Sequence, residues 1–138
     1  MTKRLRVLIV EDSTERQKIL INLFKDHAWL VVHTSARAIR LLTSYKFDLI
    51  TLDYDLAGPG KGEEIASYLS KTKNAETKVF IHSMNAPGAQ RIKKHLPDAT
   101  LIPISKMIKN NATFKRLRQE LQSGVNVNWA YVFGGKGQ

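Results

Sequence analysis

Four short stretches of this chain carry side chains able to handle a metal ion and a phosphate: Glu11-Asp12, Asp53-Tyr54-Asp55, His82-Ser83 and Ser105-Lys106. Carboxylates brought together repel one another, so a pocket built from Asp12 and Asp53 favours a bound cation. Oxygen ligands without histidine or cysteine suit a hard ion, Mg²⁺ first and Mn²⁺ or Ca²⁺ next. Such an ion keeps open positions and can present phosphate oxygens to a nucleophile. The Ser83 hydroxyl and the Lys106 ammonium both suit a phosphoryl oxygen. His82, a lone histidine on an apolar strand, reads first as a hydrogen-bonded structural residue.

Other chemistries find no support. The chain has no cysteine, which excludes disulfides, thiolate zinc sites and a cysteine nucleophile. His27 and His33 have no metal-ligand spacing, and there is no Gly-x-Ser-x-Gly or His-Glu-x-x-His. The glycine-rich run Gly58–Gly62 lacks the P-loop spacing and its Lys-Ser/Thr pair, and reads as a rim to the pocket.

Those residues need elements to position them. Short β-branched runs at Val7–Val10, Leu30–Val32, Leu49–Leu52, Val79–Ile81 and Leu101–Ile104 read as strands buried on both faces. Between them the period becomes helical: Ile19, Leu20, Leu23 and Phe24 after an N-cap at Ser13 or Thr14; Ala38, Ile39, Leu41 and Leu42; Ile65, Ala66 and Leu69 after Glu63 and Glu64; Ile92 and Leu96 before Pro97; Phe114, Leu117 and Leu121 before Gly124. Alternating strands and helices predict an α/β domain, a doubly wound, flavodoxin-like (βα)5 parallel sheet over residues 1–123. Sites in such sheets lie at the carboxyl ends of the strands. In the order 2-1-3-4-5, the first and third strands are neighbours, and Asp12 and Asp53 converge.

The motifs "VLIVED", "FDLITLDYDL", "VFIHS" and "LIPISK" place Glu11-Asp12, Asp53, Ser83 and Lys106 at successive strand ends. In this the chain resembles the response-regulator receiver (CheY-like) family over roughly Leu5 to Ser123. The resemblance implies that Glu11 and Asp12 hold Mg²⁺, that Asp53 accepts a phosphoryl group, that Tyr54 or Asp55 lends a backbone carbonyl to the metal, and that Ser83 and Lys106 bind phosphoryl oxygens. It implies a phosphodonor kinase or small phosphodonor and a downstream protein partner. The pattern also departs from that family. Met107 follows Lys106 where a proline is usual, and Pro103 stands at the aromatic switch position. "LDYDL", "IHSMNAPGAQ" and "LP" are similar to the receiver-like group named for cyclic-phosphate processing. That likeness implies a pocket for nucleotide-like cyclic phosphates, with Asp55 as a further carboxylate, His82 as acid or base and Asn85 as a ligand-binding side chain.

Charge and the chain ends complete the reading. Twenty-two basic residues against 12 acidic give +10. This leaves open a nucleic-acid contact or simply a well-solvated surface, since the cations are dispersed without a recognised motif. Apolar runs of about five residues fall far short of the roughly 20 that a membrane span needs. The basic start runs through Val7–Val10 straight into Glu11, too short for a signal peptide. These features fit a cytoplasmic protein. From Val125 to Phe133 apolar residues alternate with others, so residues 124–138 read as a strand-like tail. It packs on its own chain or joins a homodimer or partner.

Overall fold

The computed structural model describes residues 3–134. Five parallel strands form one sheet in the order β2-β1-β3-β4-β5: β1 Arg6–Val10, β2 Ala28–Val32, β3 Leu49–Leu52, β4 Lys78–Ile81 and β5 Thr100–Leu101. The predicted flavodoxin-like order therefore holds. Helices α1 (Thr14–Leu23), α2 (Ser35–Ser44), α3 (Gly62–Leu69) and α4 (Ala86–His95) follow the first four strands.

Most helix starts are set by side chains that accept from an otherwise unpaired N–H of the first turn. Ser13 caps α1 through Arg16 N, Thr34 caps α2 through Arg37 N, and Asn85 caps α4 through Gly88 N. The helices bury their apolar stripes on two faces. Ala38, Leu42, Ile65, Leu69, Ala89 and Ile92 from α2, α3 and α4 pack over Leu8, Val10, Ile50 and Ile81. On the other face Leu20 and Leu23 of α1 pack over Val7, Ile9, Leu49 and Phe80.

Three expectations change. β2 is not buried on both faces: Trp29 is 38% and Leu30 49% exposed, because β2 is an edge strand with a neighbour on one side only. β5 is two residues long, and Ile104–Met107 forms a helical turn, α5, before α6 (Asn111–Leu121). Proline lacks the N–H a ladder needs and suits a helix start, and Pro103 stands at the N-cap of α5.

The tail is not a strand. Its alternation holds for Val125, Val127 and Trp129, which are half-buried against the α1 face. Asn128 then caps a short helix, α7 (Trp129–Val132), through Tyr131 N. Trp129 meets Phe80 edge-on with ring centroids 5.5 Å apart, Val132 is fully buried, and Arg116 Nε donates to the Val132 carbonyl at 3.0 Å. Thus residues 125–134 pack on their own chain, which removes them as a free strand for a partner or homodimer; residues 135–138 lie outside the described part. No helix among the described residues is long and apolar enough to cross a membrane.

Candidate functional site

Side chains in a strand alternate between faces, so residues two apart share one. Register pairs Ile9 with Thr51 and Thr51 with Phe80, all on the α1 face. Two residues further on, past the strand ends, lie Glu11, Asp53 and His82. The ladder carries them there, with Asp53 N donating to the Val10 carbonyl and His82 N to the Leu52 carbonyl, each at 3.1 Å. The three form one row at the carboxyl end of the sheet, facing α1. Glu11 and His82 are fully buried and Asp53 is 3% exposed.

Within the row, Glu11 and His82 are directly hydrogen-bonded, and Asp53 stands beside them. His82 Nε2 lies 2.9 Å from Glu11 Oε1, and His82 Nδ1 lies 2.6 Å from the hydroxyl of Thr51. An ionised carboxylate only accepts, so Nε2 carries a proton. Glu11 also accepts from Arg16 Nε at 3.1 Å and from Ser13 N at 2.9 Å, and its carbonyl accepts from Gln17 Nε2 at 2.7 Å. Asp53 accepts from Tyr54 N at 2.8 Å. Arg16, from the first turn of α1, spans the carboxylates: its Nη2 is 3.7 Å from Asp53 Oδ2 and 4.0 Å from Asp12 Oδ1.

This arrangement separates the two buried acids electrostatically. Burial alone would raise the Glu11 carboxyl, but His82, Arg16 and the Ser13 amide outweigh it and hold it at about 2. Asp53 is raised, first by burial and also by the Glu11 charge, against lowering by His82, the Ser83 hydroxyl and the Tyr54 amide. Glu11 is a fixed anion, and Asp53 is the carboxylate readier to take a proton. Environments that push two acids apart in this way assign them different roles.

The chain returns closely over the row. Gly62 N donates to the Tyr54 carbonyl at 2.7 Å, and a Cβ at Gly62 would collide with the Asp53 carbonyl oxygen. Gly62 therefore lets α3 start against the site. Within the same loop, Ala57 bridges back to Thr34, and Gly58 makes the turn at φ 83°.

Residues 6–98 match the family described as the cyclic-phosphate processing Receiver domain. The chain belongs to this family. Among solved structures, this receiver domain is similar to the Mn²⁺-bound form of response regulator Rcp1, at 18% identity over 89% of this chain and 98% of that one, TM-score 0.68. It is similar to the phosphorylated cyanobacterial phytochrome response regulator RcpA at 16% identity, over 87% of this chain and 90% of that one, TM-score 0.64. A CheY-like receiver domain protein of Methanospirillum hungatei JF-1 matches at 16% identity, over 73% and 81%, TM-score 0.61. These likenesses establish the fold. No curated protein matches.

The receiver domain does not gather all the residues that its sequence singles out. Glu11, Asp53, His82 and Ser83 are together and buried. Asp12 turns to the exposed rim, where Arg16 is its ion-pair partner at 4.0 Å. Asp55 is exposed and accepts from Asn85 Nδ2 at 3.1 Å, while Asn85 Oδ1 caps α4, so both ends of that amide are engaged. The Tyr54 carbonyl is taken by Gly62. Lys106 sits on α5, exposed, with Nζ 6.0 Å from the ring centroid of Phe133. The ion-pair partner of Asp53 among the described residues is Arg16 rather than Lys106.

Two site residues escape sequence reasoning. Thr51 has a signal, a lone hydroxyl in the apolar run Leu49–Leu52, two residues before Asp53. Arg16 has none, because its role depends on how α1 docks.

A receiver fold implies a divalent cation, and the donors present fit one. One ligand atom each from Glu11, Asp53 and His82 lies within 4.8 Å of the other two. Two carboxylate oxygens and an imidazole nitrogen, once Nε2 gives up the proton it shares with Glu11, would accommodate Mn²⁺ more readily than Mg²⁺, which prefers oxygen.

Proposed function

We propose that the row of Glu11, Asp53 and His82, with Arg16 above it, binds a cyclic phosphate ester of nucleotide type and opens it with water. The observation that carries this reading is the buried pairing of His82 with Glu11 beside Asp53, while Lys106 faces the tail. A carboxylate with a raised affinity for a proton, set beside a fixed imidazole, suits acid–base work, whereas the usual lysine is turned away from Asp53. The family match supports the same substrate class.

Ring opening adds one water. The water oxygen joins phosphorus and its proton passes to Asp53; one P–O ester bond breaks, and Asp53 returns that proton to the leaving oxygen. Asp53 is the acceptor best placed by its raised affinity for a proton. Glu11 stays ionised and fixes the His82 ring, whose other nitrogen Thr51 holds. Arg16 offers a planar fork for phosphate oxygens. A divalent ion on Glu11, Asp53 and His82 would supply positive charge for the phosphate.

The test is incubation of the purified protein with 2′,3′-cyclic and 3′,5′-cyclic nucleotides and cyclic-phosphate-ended RNA, with Mn²⁺ or Mg²⁺ in ¹⁸O-water. The expected product is a ring-opened monoester carrying the label. Asp53→Asn is expected to lower the rate by about 100-fold or more, the usual scale of a lost acid–base group. Unchanged cyclic esters under all conditions would end this reading.

A second reading has its own support. Asp53 ends β3 in a fold shared with the phosphorylated RcpA. On that reading Asp53 accepts a phosphoryl group from a kinase or small phosphodonor, Ser83 contacts it, and the domain acts through a partner. Beryllofluoride with Mg²⁺ separates the two readings. Amide-spectrum changes in wild type that Asp53→Asn lacks, without ester turnover, would favour the acceptor.

A further inference from the structure

Arg16 occupies the space a cation needs. Its Nε–H lies on Glu11 Oε1 at 3.1 Å, the same oxygen that faces His82 Nε2 at 2.9 Å. Its Nη2 reaches towards Asp53 Oδ2 at 3.7 Å. A divalent ion held by Glu11 and Asp53, with His82 joining after Nε2 loses its proton, would need those carboxylate lone pairs at roughly 2.0–2.2 Å, the usual range for such ions. The guanidinium and the ion carry like charge, so they cannot share the carboxylates without strong repulsion.

The two states also differ in what each leaves unpaired. Among the described residues every buried side-chain nitrogen and oxygen already has a hydrogen-bond partner without an ion. Arg16 contributes one of the partners of Glu11. The Arg16 side chain is 37% exposed, while those of Glu11 and Asp53 are 0% and 5% exposed. It can therefore swing toward solvent about its own torsions with α1 in place, which the buried acids cannot do.

We infer that Arg16 is a resident cation that closes the metal site: it neutralises Glu11 and Asp53 in the ion-free protein and must leave them for a divalent ion to bind. Once displaced, its fork stands at the mouth of the site beside the exposed Asp12, free of Glu11 and Asp53 and in position for a phosphate oxygen. That last step rests on the proposed ester chemistry; the competition with the ion does not.

Titration of the full chain with Mn²⁺ alone, followed by calorimetry and by the Mn²⁺ electron-spin signal, tests the competition. Arg16→Gln is expected to bind Mn²⁺ about tenfold more tightly than wild type, the worth of one charge-assisted hydrogen bond to a charged group. Arg16→Lys, which keeps the charge, is expected to stay close to wild type. Equal or weaker binding by Arg16→Gln, or no binding by it, would overturn the inference. A second readout needs no variant. In wild type, saturation with Mg²⁺ should move the Arg16 Nε–H resonance as it leaves Glu11; a resonance unmoved at saturation would also overturn it. If Arg16→Gln gains affinity while wild type opens no cyclic ester, the substrate reading fails and the gate stands.

Discussion

Thr51 shows how much depends on one hydroxyl at the residue scale. It sits in the middle of a strand whose other three side chains are buried and apolar, and it is itself fully buried. A polar group there costs stability unless it is paired, and its partner is His82 Nδ1 at 2.6 Å. Thr51→Val keeps the shape and leaves that ring nitrogen unpartnered in the core. The expected loss is about 1–3 kcal/mol, the cost of stranding one buried polar group. Urea unfolding with chelator present measures it, and in ¹⁵N spectra of the imidazole the Nδ1 resonance should move as its hydrogen-bond partner is lost. Unchanged stability and an unchanged imidazole spectrum would mean that Thr51 does not hold the ring. The same contact explains what was hard to read in the sequence. The strand-end residues Glu11, Asp53 and His82 were legible as chemistry. Their shared face follows from the parity of Ile9, Thr51 and Phe80, but only once it is known which face α1 covers. Asp12, rather than Glu11, therefore looked like the inward acid.

Strands β1, β3 and β4 and helices α1 to α4 were legible at the scale of elements because periodicity, caps and breakers agreed. The carboxyl-terminal quarter was not. Leu101–Ile104 is an apolar run too short for its period to separate strand from helix, and Pro103 tips it to a helix start. The tail alternates as a strand would, yet Trp129, Val132 and Phe133 also fall at helical spacing. Asn128 decides between the two by capping α7. Packing against Phe80 then fixes the turn, with the Phe133 ring stacked on Trp129 at 5.9 Å and Lys106 beside it. Trp129→Ala should remove this edge-on contact and the stack together. Burial of Trp129 is partial, so the loss should be roughly 2 kcal/mol, below the 3–5 of a fully buried aromatic. The unfolding midpoint and near-ultraviolet circular dichroism would register it. A variant as stable as wild type would mean that α7 is not part of the cooperative fold.

At the scale of the whole molecule, acid acts on a chain that already carries +10. As pH falls, histidines and then carboxylates take up protons, and self-repulsion works against the compact state. His27 adds a specific contribution before the carboxylates do. It is 6% exposed, and its Nδ1 accepts from Leu5 N at 3.0 Å where β1 begins. Burial lowers its affinity for a proton below the ordinary 6.5; Asp26 raises it and Arg4 lowers it by smaller amounts. The unfolded chain therefore binds the proton first. Stability is full above 6.5, falls as pH drops below that value, and reaches its floor once the folded value is passed. Glu11 works in a more acidic window, losing its contribution between 4.5 and about 2. Asp53 opposes both, because its raised value makes its contribution largest below 3.8 and lost as pH rises through the folded value. The His27 part is isolated by His27→Asn, whose amide oxygen can accept from Leu5 N without titrating. Urea midpoints at pH 8 and pH 5.5, with chelator, should drop in wild type and drop distinctly less in the variant. Equal drops would place the acid sensitivity in the charge of the whole surface and not in the joint between β1 and the turn that carries His27.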